Sequence, residues 1–390
     1  GESGFFGRTT ALVMRHPVVS IVASAALLVA AAAPLVTMNI GNPSVDQMPA
    51  NLPSVQAFKI LNRDFSAGRI APTQIVIHGD VQSAGVQAAI TKLRSALKRD
   101  AAATDVGELQ VSKDGTIAAL PVVIAGDPSS SAATDEVGHL RSDIVRPAFE
   151  GSHAEVVVGG DTAGTRDYID TMTTYIPIVM VFVLSLSFLL LMMVFRSLVI
   201  PAKAIVMNLL SVGAAYGLLV LVFQHGVGAG LFGFHDGDAI TAWLPVFLFT
   251  VLFGLSMDYH VFLLSRIQER YLQTHDNKAS VAYGLRSTAH IITGAAAIMI
   301  MVFGGFALGN IVEIQQMGFG LAVAVFIDAT VVRSVLVPAS MEMLGDWNWY
   351  LPSWLGWLPK ISVEGAQVAA QPAGAVPLPT PARFAGAGGD

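Results

Sequence analysis

An aspartate and a tyrosine stand side by side within a long apolar stretch of this sequence. Asp258 and Tyr259 lie in a run that stays largely apolar from Ala239 to Leu264. If that run crosses a bilayer, a charged carboxylate near its centre costs about 2.5–3.5 kcal/mol or more, and burial favours the neutral carboxyl. Asp258 is therefore a candidate for binding and releasing protons. The alternative is an acid that only forms a hydrogen bond between helices.

Other polar residues in or beside apolar runs form a second group of candidates. Asp328 is a second deep acid, and Arg333 can either pair with an acid or extend to the cytoplasmic surface. His260 suits proton transfer by its chemistry, but its place toward the cytoplasmic end predicts a solvated role. Three hydroxyls can support a relay or can bond to their own helix backbone. These hydroxyls belong to Ser287, Thr288 and Thr293.

Several kinds of chemistry lack their usual sequence patterns. The chain has no cysteine, which excludes disulfides, thiolate catalysis and cysteine metal ligands. No GxxxxGK[ST], HExxH or GxSxG pattern occurs, and the net charge of −6 does not indicate a nucleic-acid partner. We therefore expect no cofactor, no metal site and no enzymatic activity.

The elements that must position these residues are membrane helices. The chain is 53% hydrophobic and 13% charged, which is typical of a polytopic membrane protein. A hydrocarbon core of about 30 Å needs runs of about 20 residues. Six runs meet this length: 17–36, 173–195, 198–223, 240–264, 288–307 and 314–337. Their order predicts one span, a large extramembrane domain and five closely spaced spans.

The basic residues of the short loops predict the orientation of these spans. Arg8 and Arg15 precede the first span, and Arg266 and Arg270 follow the fourth. Alternating the spans places all such loops on one side, and positive loops face the cytoplasm. Both termini are then cytoplasmic, and the large domain lies outside the cell membrane.

The extramembrane stretch has the composition of a folded α+β domain. Helical and strand periodicities alternate in the order βαββαβ, including two strands around a turn at 113–115. This order predicts a ferredoxin-like fold. The chain then divides into an N-terminal segment with the first span (1–36), the outer domain (37–171), a five-helix bundle (172–338), an aromatic interfacial segment (339–362) and a disordered tail rich in Ala, Pro and Gly (363–390).

Four motifs resemble those of the mycobacterial-membrane-protein-large (MMPL) branch of the resistance–nodulation–division (RND) transporters. The main one is "FGLSMDYHVFLLSRIQE", residues 253–269, and the others cover 64–77, 192–217 and 328–339. The resemblance implies the C-terminal half of a duplicated transporter, with the outer domain as a porter domain. It assigns a proton relay to Asp258 and Tyr259, acting with the other half, and a supporting hydroxyl to Thr288 or Thr293.

This resemblance predicts one half of a proton-driven exporter of lipids or other amphipathic molecules. The partner would be an N-terminal half or a second copy of the chain, because no second Asp-Tyr pair lies in a span. The chain begins "GESGFFGRTT" without Met, so we expect a piece of a longer polypeptide or a few added residues. Two alternatives remain, an RND-fold sterol-sensing or scaffold protein and an accessory protein of secretion.

Overall fold

The computed structural model describes residues 13–357, except 43–44, 46–47, 50, 66, 70, 236 and 356. The predicted disordered tail, 363–390, lies outside the described residues. The described chain contains a domain with a five-stranded sheet, named here the αβ domain (residues 53–159), and a set of long helices, named the helical bundle (residues 17–37 and 161–344).

The elements follow one another in three groups. The chain first forms α1 (Pro17–Ala32), a 3₁₀ turn (Ala33–Thr37) and β1 (Ile40–Gly41). The αβ domain then contains α2 (Pro53–Phe65), β2 (Thr73–His78), α3 (Ala84–Leu97), β3 (Ala103–Val106), β4 (Gln110–Val111), β5 (Ile117–Ile124), α4 (Ser131–His139), a π-helical turn (Leu140–Val145), α5 (Arg146–Phe149) and β6 (Glu155–Gly159). The helical bundle continues with α6 (Asp161–Phe195), α7 (Val199–Phe223), α8 (Ala229–Phe232), β7 (Ile240–Thr241), α9 (Leu244–Thr274), α10 (Asn277–Ala307), α11 (Val312–Ile327), a π-helix (Asp328–Leu336) and α12 (Val337–Leu344).

The sheet of the αβ domain is antiparallel, with the strand order β3-β5-β2-β6. Successive side chains of a strand point to opposite faces, and alternate residues of β2 are accordingly buried. Ile75, on this buried face, pairs with Leu120 and Val158 of the neighbouring strands. Residues of α3 and α4, such as Leu93 and Val137, complete the same hydrophobic core.

The predicted hairpin around residues 113–115 is present, but its first strand is short. Only Gln110 and Val111 of that strand pair with β5. The turn closes through a hydrogen bond from the Gly115 amide to the Ser112 carbonyl, and Gly115 has a φ of +69°. A further strand, β3, pairs with β5 and was not predicted, because its four residues "ATDV" lack an apolar run.

Within the described residues, six helical segments are long and apolar enough to cross a membrane. They are Pro17–Thr37, Asp161–Phe195, Val199–Phe223, Leu244–Thr274, Asn277–Ala307 and Val312–Trp349. The chain is therefore a multi-pass membrane protein. The prediction that the fourth span begins at residue 240 is wrong, because Ile240 and Thr241 form β7, which pairs in parallel with β1. The helix begins four residues later, at Leu244, with Pro245 in its first turn.

Helices α1 and α7 pack with their backbones in close contact. A Cβ atom added at Gly217 would lie 2.0 Å from the Ala31 carbonyl oxygen. Small residues permit such close approach in membrane bundles, where van der Waals packing between helices contributes much of the association energy. Gly217 therefore sets the distance between the first span and the rest of the helical bundle.

Candidate functional site

A π-helix of nine residues interrupts the last membrane segment where Asp328 and Arg333 lie. It spans Asp328–Leu336, between α11 and α12. Its backbone hydrogen bonds join residues five apart, so Asp328 and Arg333 meet across one turn. π-helical segments are rare and occur often at functional sites. Pairing with an acid was one of the two roles that the sequence left open for Arg333.

Asp328 and Arg333 form a buried ion pair. The Nη2 atom of Arg333 lies 2.5 Å from Oδ2 of Asp328, and the side chains are 6% and 12% exposed, respectively. Desolvation of two charges is costly, and each charge stays buried only while the other compensates it. A change in the charge of Asp328 would therefore leave Arg333 without its counter-ion.

Helix α9 contributes Ser256 to this ion pair, and α7 contributes Asn208. The Ser256 hydroxyl lies 3.1 Å from Oδ1 of Asp328 and 2.9 Å from Oδ1 of Asn208. It has one proton for these two acceptors, so only one of the two contacts can be a donated hydrogen bond at a time. The backbone carbonyl of Ser256 also accepts a hydrogen bond from Nη2 of Arg333, at 3.3 Å. Three helical segments thus meet at one polar point.

Tyr259 packs directly on the ion pair. The guanidinium carbon of Arg333 lies 4.7 Å from the centre of the Tyr259 ring, a distance at which a cation and an aromatic face attract each other. The Tyr259 hydroxyl lies 3.9 Å from the sulfur of Met299 on α10. Ser256 and Tyr259 are three residues apart and so share one face of α9.

Asp258 lies on the outer surface of this chain. Its side chain is exposed, and within the described residues the carboxylate has no hydrogen-bond or ion-pair partner. Within this chain alone, Asp258 therefore does not face the interior of the bundle. The reason is angular, because successive helix residues point about 100° apart and Tyr259 occupies the inward position.

His260 is buried, with an exposure of 1%, and its Nδ1 atom has no hydrogen-bond partner within the described chain. The predicted solvated role of His260 is wrong. The prediction used the position of His260 along α9, whereas its burial depends on which face of the helix packs against neighbours.

The three hydroxyls of α10 do not reach either acid. Ser287 and Thr288 bond to the carbonyl oxygen of Gly284, at 3.0 and 2.8 Å. This is the backbone bonding that the sequence left as the alternative to a relay. Thr293 is exposed on the surface of the helix. Ser256, on the neighbouring helix, is instead the hydroxyl that contacts Asp328.

A small cavity borders the polar residues. Asn208, Ser256, Tyr259, Asp328 and Arg333 line it together with apolar side chains of α9, α10 and α11. Its volume of about 20 Å³ is enough for one water molecule, and its polar atoms offer that water hydrogen-bond partners.

Sequence reasoning did not identify Asn208 or Ser256 as residues of this site. A signal for Asn208 was present, because an amide within the apolar run 198–223 needs a partner from another helix. The identity of that partner was not readable, since Ser256 lies 48 residues away in the chain.

Comparison with known proteins identifies a family and relatives that match most of this chain. A family model described as the MMPL family matches residues 46–364. The chain is 37% identical over 368 residues to the mycolic acid-containing lipids exporter MmpL11 of Mycolicibacterium smegmatis, covering 93% of this chain and 38% of that protein. It is 37% identical over 357 residues to the heme uptake protein MmpL11 of Mycobacterium tuberculosis H37Rv, covering 91% and 36%. It is 28% identical over 371 residues to the trehalose monomycolate exporter MmpL3 of M. smegmatis, covering 91% and 35%. The chain thus spans little more than a third of the length of these relatives.

Proposed function

The chain belongs to the MMPL family, and we propose on this premise that it is one half of a proton-driven exporter of lipids or other amphipathic molecules. The observation that carries the proposal is the buried ion pair of Asp328 and Arg333, which contacts the helix that bears the Asp-Tyr pair. We assign the proton relay to Asp258 and Tyr259, with Asp328 in support.

The contacts of Arg333 suggest how a proton would move helices. Arg333 holds Asp328 by charge, the Ser256 carbonyl by a hydrogen bond and the Tyr259 ring by a cation–π contact. Protonation of Asp328 would weaken the first contact, because a neutral carboxyl no longer compensates the guanidinium. The balance of forces between the π-helix and α9 would then change, and release of the proton would restore it. Two discrete packings of this kind are what alternating access requires.

The exposed carboxylate of Asp258 supports the need for a second half. A charged carboxylate facing lipid near the bilayer centre costs about 2.5–3.5 kcal/mol or more. Burial by an N-terminal half or a second copy would remove Asp258 from lipid and give it partners. The αβ domain also leaves apolar surface uncovered, since Val55 of α2 is buried while Leu61 and Phe65 on the same stripe are 38% and 64% exposed.

We propose that the αβ domain is the porter domain, with a ferredoxin-like fold. The observed order β2-α3-β3-β5-α4-β6 and the antiparallel pairing support this assignment. The basic residues of the short loops support a location outside the cell membrane, with both termini in the cytoplasm. We also propose that the outer domain comprises about residues 37–171 and that the five-helix bundle comprises residues 172–338.

Helix α6 offers the mechanical link between the two parts. It runs for 35 residues from the end of β6 into the bundle, which is about 52 Å at 1.5 Å per residue. Arg141 of the π-helical turn holds Asp167 of α6 with two hydrogen bonds, one of them 3.0 Å long. Arg166 of α6 binds Asp135 of α4 at 2.8 Å. Rotation of the αβ domain would therefore pull on α6 inside the membrane.

The names of the relatives point to amphipathic cargo without selecting one molecule. Relatives with equal identity to this chain are named for mycolic acid-containing lipids and for heme. Both cargoes combine a large apolar body with polar groups, so a single cleft between two porter domains would suit either. We propose a lipid as the cargo, because the MmpL3 relative is named as an exporter of trehalose monomycolate, which carries a fatty-acid chain.

The test is D258N in the complete transporter, reconstituted in vesicles with a proton gradient. Asn keeps the shape of the side chain but cannot ionise, so proton-coupled export of fluorescent lipid should stop. The control is E269Q on the same helix, which removes a half-buried acid outside the site and should export normally. Export by wild type should also stop when an uncoupler dissipates the gradient. Full gradient-dependent export by D258N would refute the relay, and export unaffected by the uncoupler would refute proton coupling.

A further inference from the structure

Three side chains with metal-binding chemistry meet in the αβ domain, far along the chain from the intramembrane residues. They are Asp100, after the end of α3, and Glu136 and His139 on α4. One ligand atom from each lies within 4.8 Å of the others. Glu136 and His139 are three residues apart and so share one face of their helix. Asp100 faces them from the neighbouring helix end.

Two carboxylate oxygens of this cluster are buried and have no hydrogen-bond partner within the described residues. Oδ1 of Asp100 accepts a hydrogen bond from the Ala102 amide at 2.9 Å, which holds the carboxylate in place. Its other oxygen, Oδ2, is inaccessible to solvent and has no hydrogen-bond donor within the described residues. The same is true of Oε1 of Glu136. An unpaired buried carboxylate oxygen is costly, so two beside each other require a cation or a shared proton.

The imidazole of His139 is oriented toward these oxygens. Its Nδ1 atom lies 2.8 Å from Oδ2 of Asp143, one turn further along the chain. When Nδ1 donates its proton to Asp143, Nε2 is the nitrogen available on the other side of the ring, and it lies 3.6 Å from Oδ2 of Asp100. A histidine whose outer nitrogen donates to a carboxylate, while its inner nitrogen is free to bind, is the usual arrangement at protein metal sites.

We propose that Asp100, Glu136 and His139 bind a divalent transition-metal ion. One imidazole nitrogen and two carboxylate oxygens are ligands suited to Zn²⁺, whereas Ca²⁺ and Mg²⁺ favour oxygen ligands alone. Ligands of a tetrahedral Zn²⁺ lie about 3.4 Å apart, given bond lengths of about 2.0–2.2 Å. The Asp100–His139 distance already matches this value. The exposed edge of His139 leaves room for water as a fourth ligand.

The ion would join two parts of the αβ domain that are distant in the chain. Asp100 lies in the loop after α3, and Glu136 and His139 belong to α4, so the bound ion would close a loop of more than 30 residues. Both helices cover the same face of the sheet. Because α4 also contacts α6 through Asp135 and Arg166, the ion would stiffen the part of the domain that is linked to the bundle.

The test is Zn²⁺ binding by the full chain in detergent, freed of metal with a chelator. Competition with a chromophoric chelator should show one Zn²⁺ per chain, and the melting temperature should rise with Zn²⁺ concentration. H139Q and E136Q should each weaken binding at least tenfold, and D143N should weaken it about 10–100-fold by loosening the imidazole. The matched control is H78Q, because His78 also lies near a carboxylate, at 3.9 Å from Glu155, but on the exposed side of the sheet.

Two results would overturn the proposal. One is a wild-type chain that binds no Zn²⁺, which would leave Asp100 and Glu136 as a carboxyl pair that shares a proton. The other is binding of equal strength in wild type and H139Q, which would place the ion elsewhere. Far-UV circular dichroism of each variant should match that of wild type. If H139Q fails this check, the D143N variant, which keeps all three ligands, gives the decisive comparison.

Discussion

Replacement of Arg333 by Met measures how strongly the buried ion pair depends on both partners. R333M removes the guanidinium and keeps an unbranched apolar chain, so Asp328 stays buried with only the Ser256 hydroxyl near it among the described side chains. An uncompensated buried charge costs about 3–5 kcal/mol. Loss of the cation–π contact with Tyr259 adds about 0.5–2 kcal/mol. We expect R333M to lower the free energy of unfolding by about 3–5 kcal/mol or slightly more.

The double variant D328N/R333M separates compensation from simple packing. Asn keeps the shape of Asp328 and can still bond to Ser256, and neither buried charge remains. Replacing a whole buried ion pair is often nearly neutral, whereas breaking it is costly. We therefore expect D328N/R333M to be more stable than R333M by about 2 kcal/mol or more, although it carries one more substitution.

The assay is unfolding of the purified chain in mixed detergent micelles, followed by tryptophan fluorescence and circular dichroism. The control pair is Arg266 and Glu269, whose side chains are 36% and 39% exposed, so E269Q should change stability by at most about 1 kcal/mol. The loss of unfolding free energy in the double variant is compared with the sum of the losses in R333M and D328N. If the two values are equal, the two charges do not compensate each other. A decrease in the free energy of unfolding of less than about 1 kcal/mol in R333M would also show that the charges do not compensate each other.

Two further predictions concern the αβ domain and the first span. Hydrogen bonds from the Ser112 hydroxyl, at 2.6 Å, and from the Thr116 amide lower the pKa of Asp114 to about 2. The ionised Asp114 therefore stabilises the hairpin fully above the pKa of the unfolded chain, and this stabilisation is lost as the pH falls through about 2. D114N should therefore melt below wild type at pH 7, and the difference should shrink below pH 4 and vanish below pH 2; a constant difference would contradict this. G217A should destabilise the chain by about 1–3 kcal/mol or more, because its Cβ would meet the Ala31 carbonyl, whereas G305A, with open space around its Cβ, should unfold like wild type. Equal stability of the two glycine variants would show that α1 can move away from α7 at little cost.

The membrane helices could be read from the sequence because their signal is local. A run of about 20 apolar residues is recognisable without its neighbours, since its length and composition alone match a bilayer. The start of α9 was misplaced for the opposite reason. Ile240 and Thr241 have residue types that also occur in membrane spans. They form a strand only because they pair with β1, about 200 residues earlier in the chain.

The candidate site divides in the same way. The sequence offered Asp258 and Asp328 as candidates because charged groups in apolar runs are rare and costly, and the family resemblance added Tyr259. It did not reveal that Tyr259 faces Arg333 while Asp258 faces outward. Which side of α9 points inward depends on how this helix packs against the π-helix. It placed His260 in solvent, although packing buries it. The cluster of Asp100, Glu136 and His139 carried no motif, since Asp100 lies in the loop after α3 and the other two residues lie on α4.

The sequence by itself therefore determined that this chain is a multi-pass membrane protein of the MMPL family with an αβ domain between its first two spans. These properties follow from hydropathy, periodicity and contiguous motifs, each of which is local along the chain. Tertiary structure alone decided which polar groups meet. Ser256 contacts residues 48 and 72 positions away, and such contacts depend on the packing of helices rather than on the pattern within any one of them.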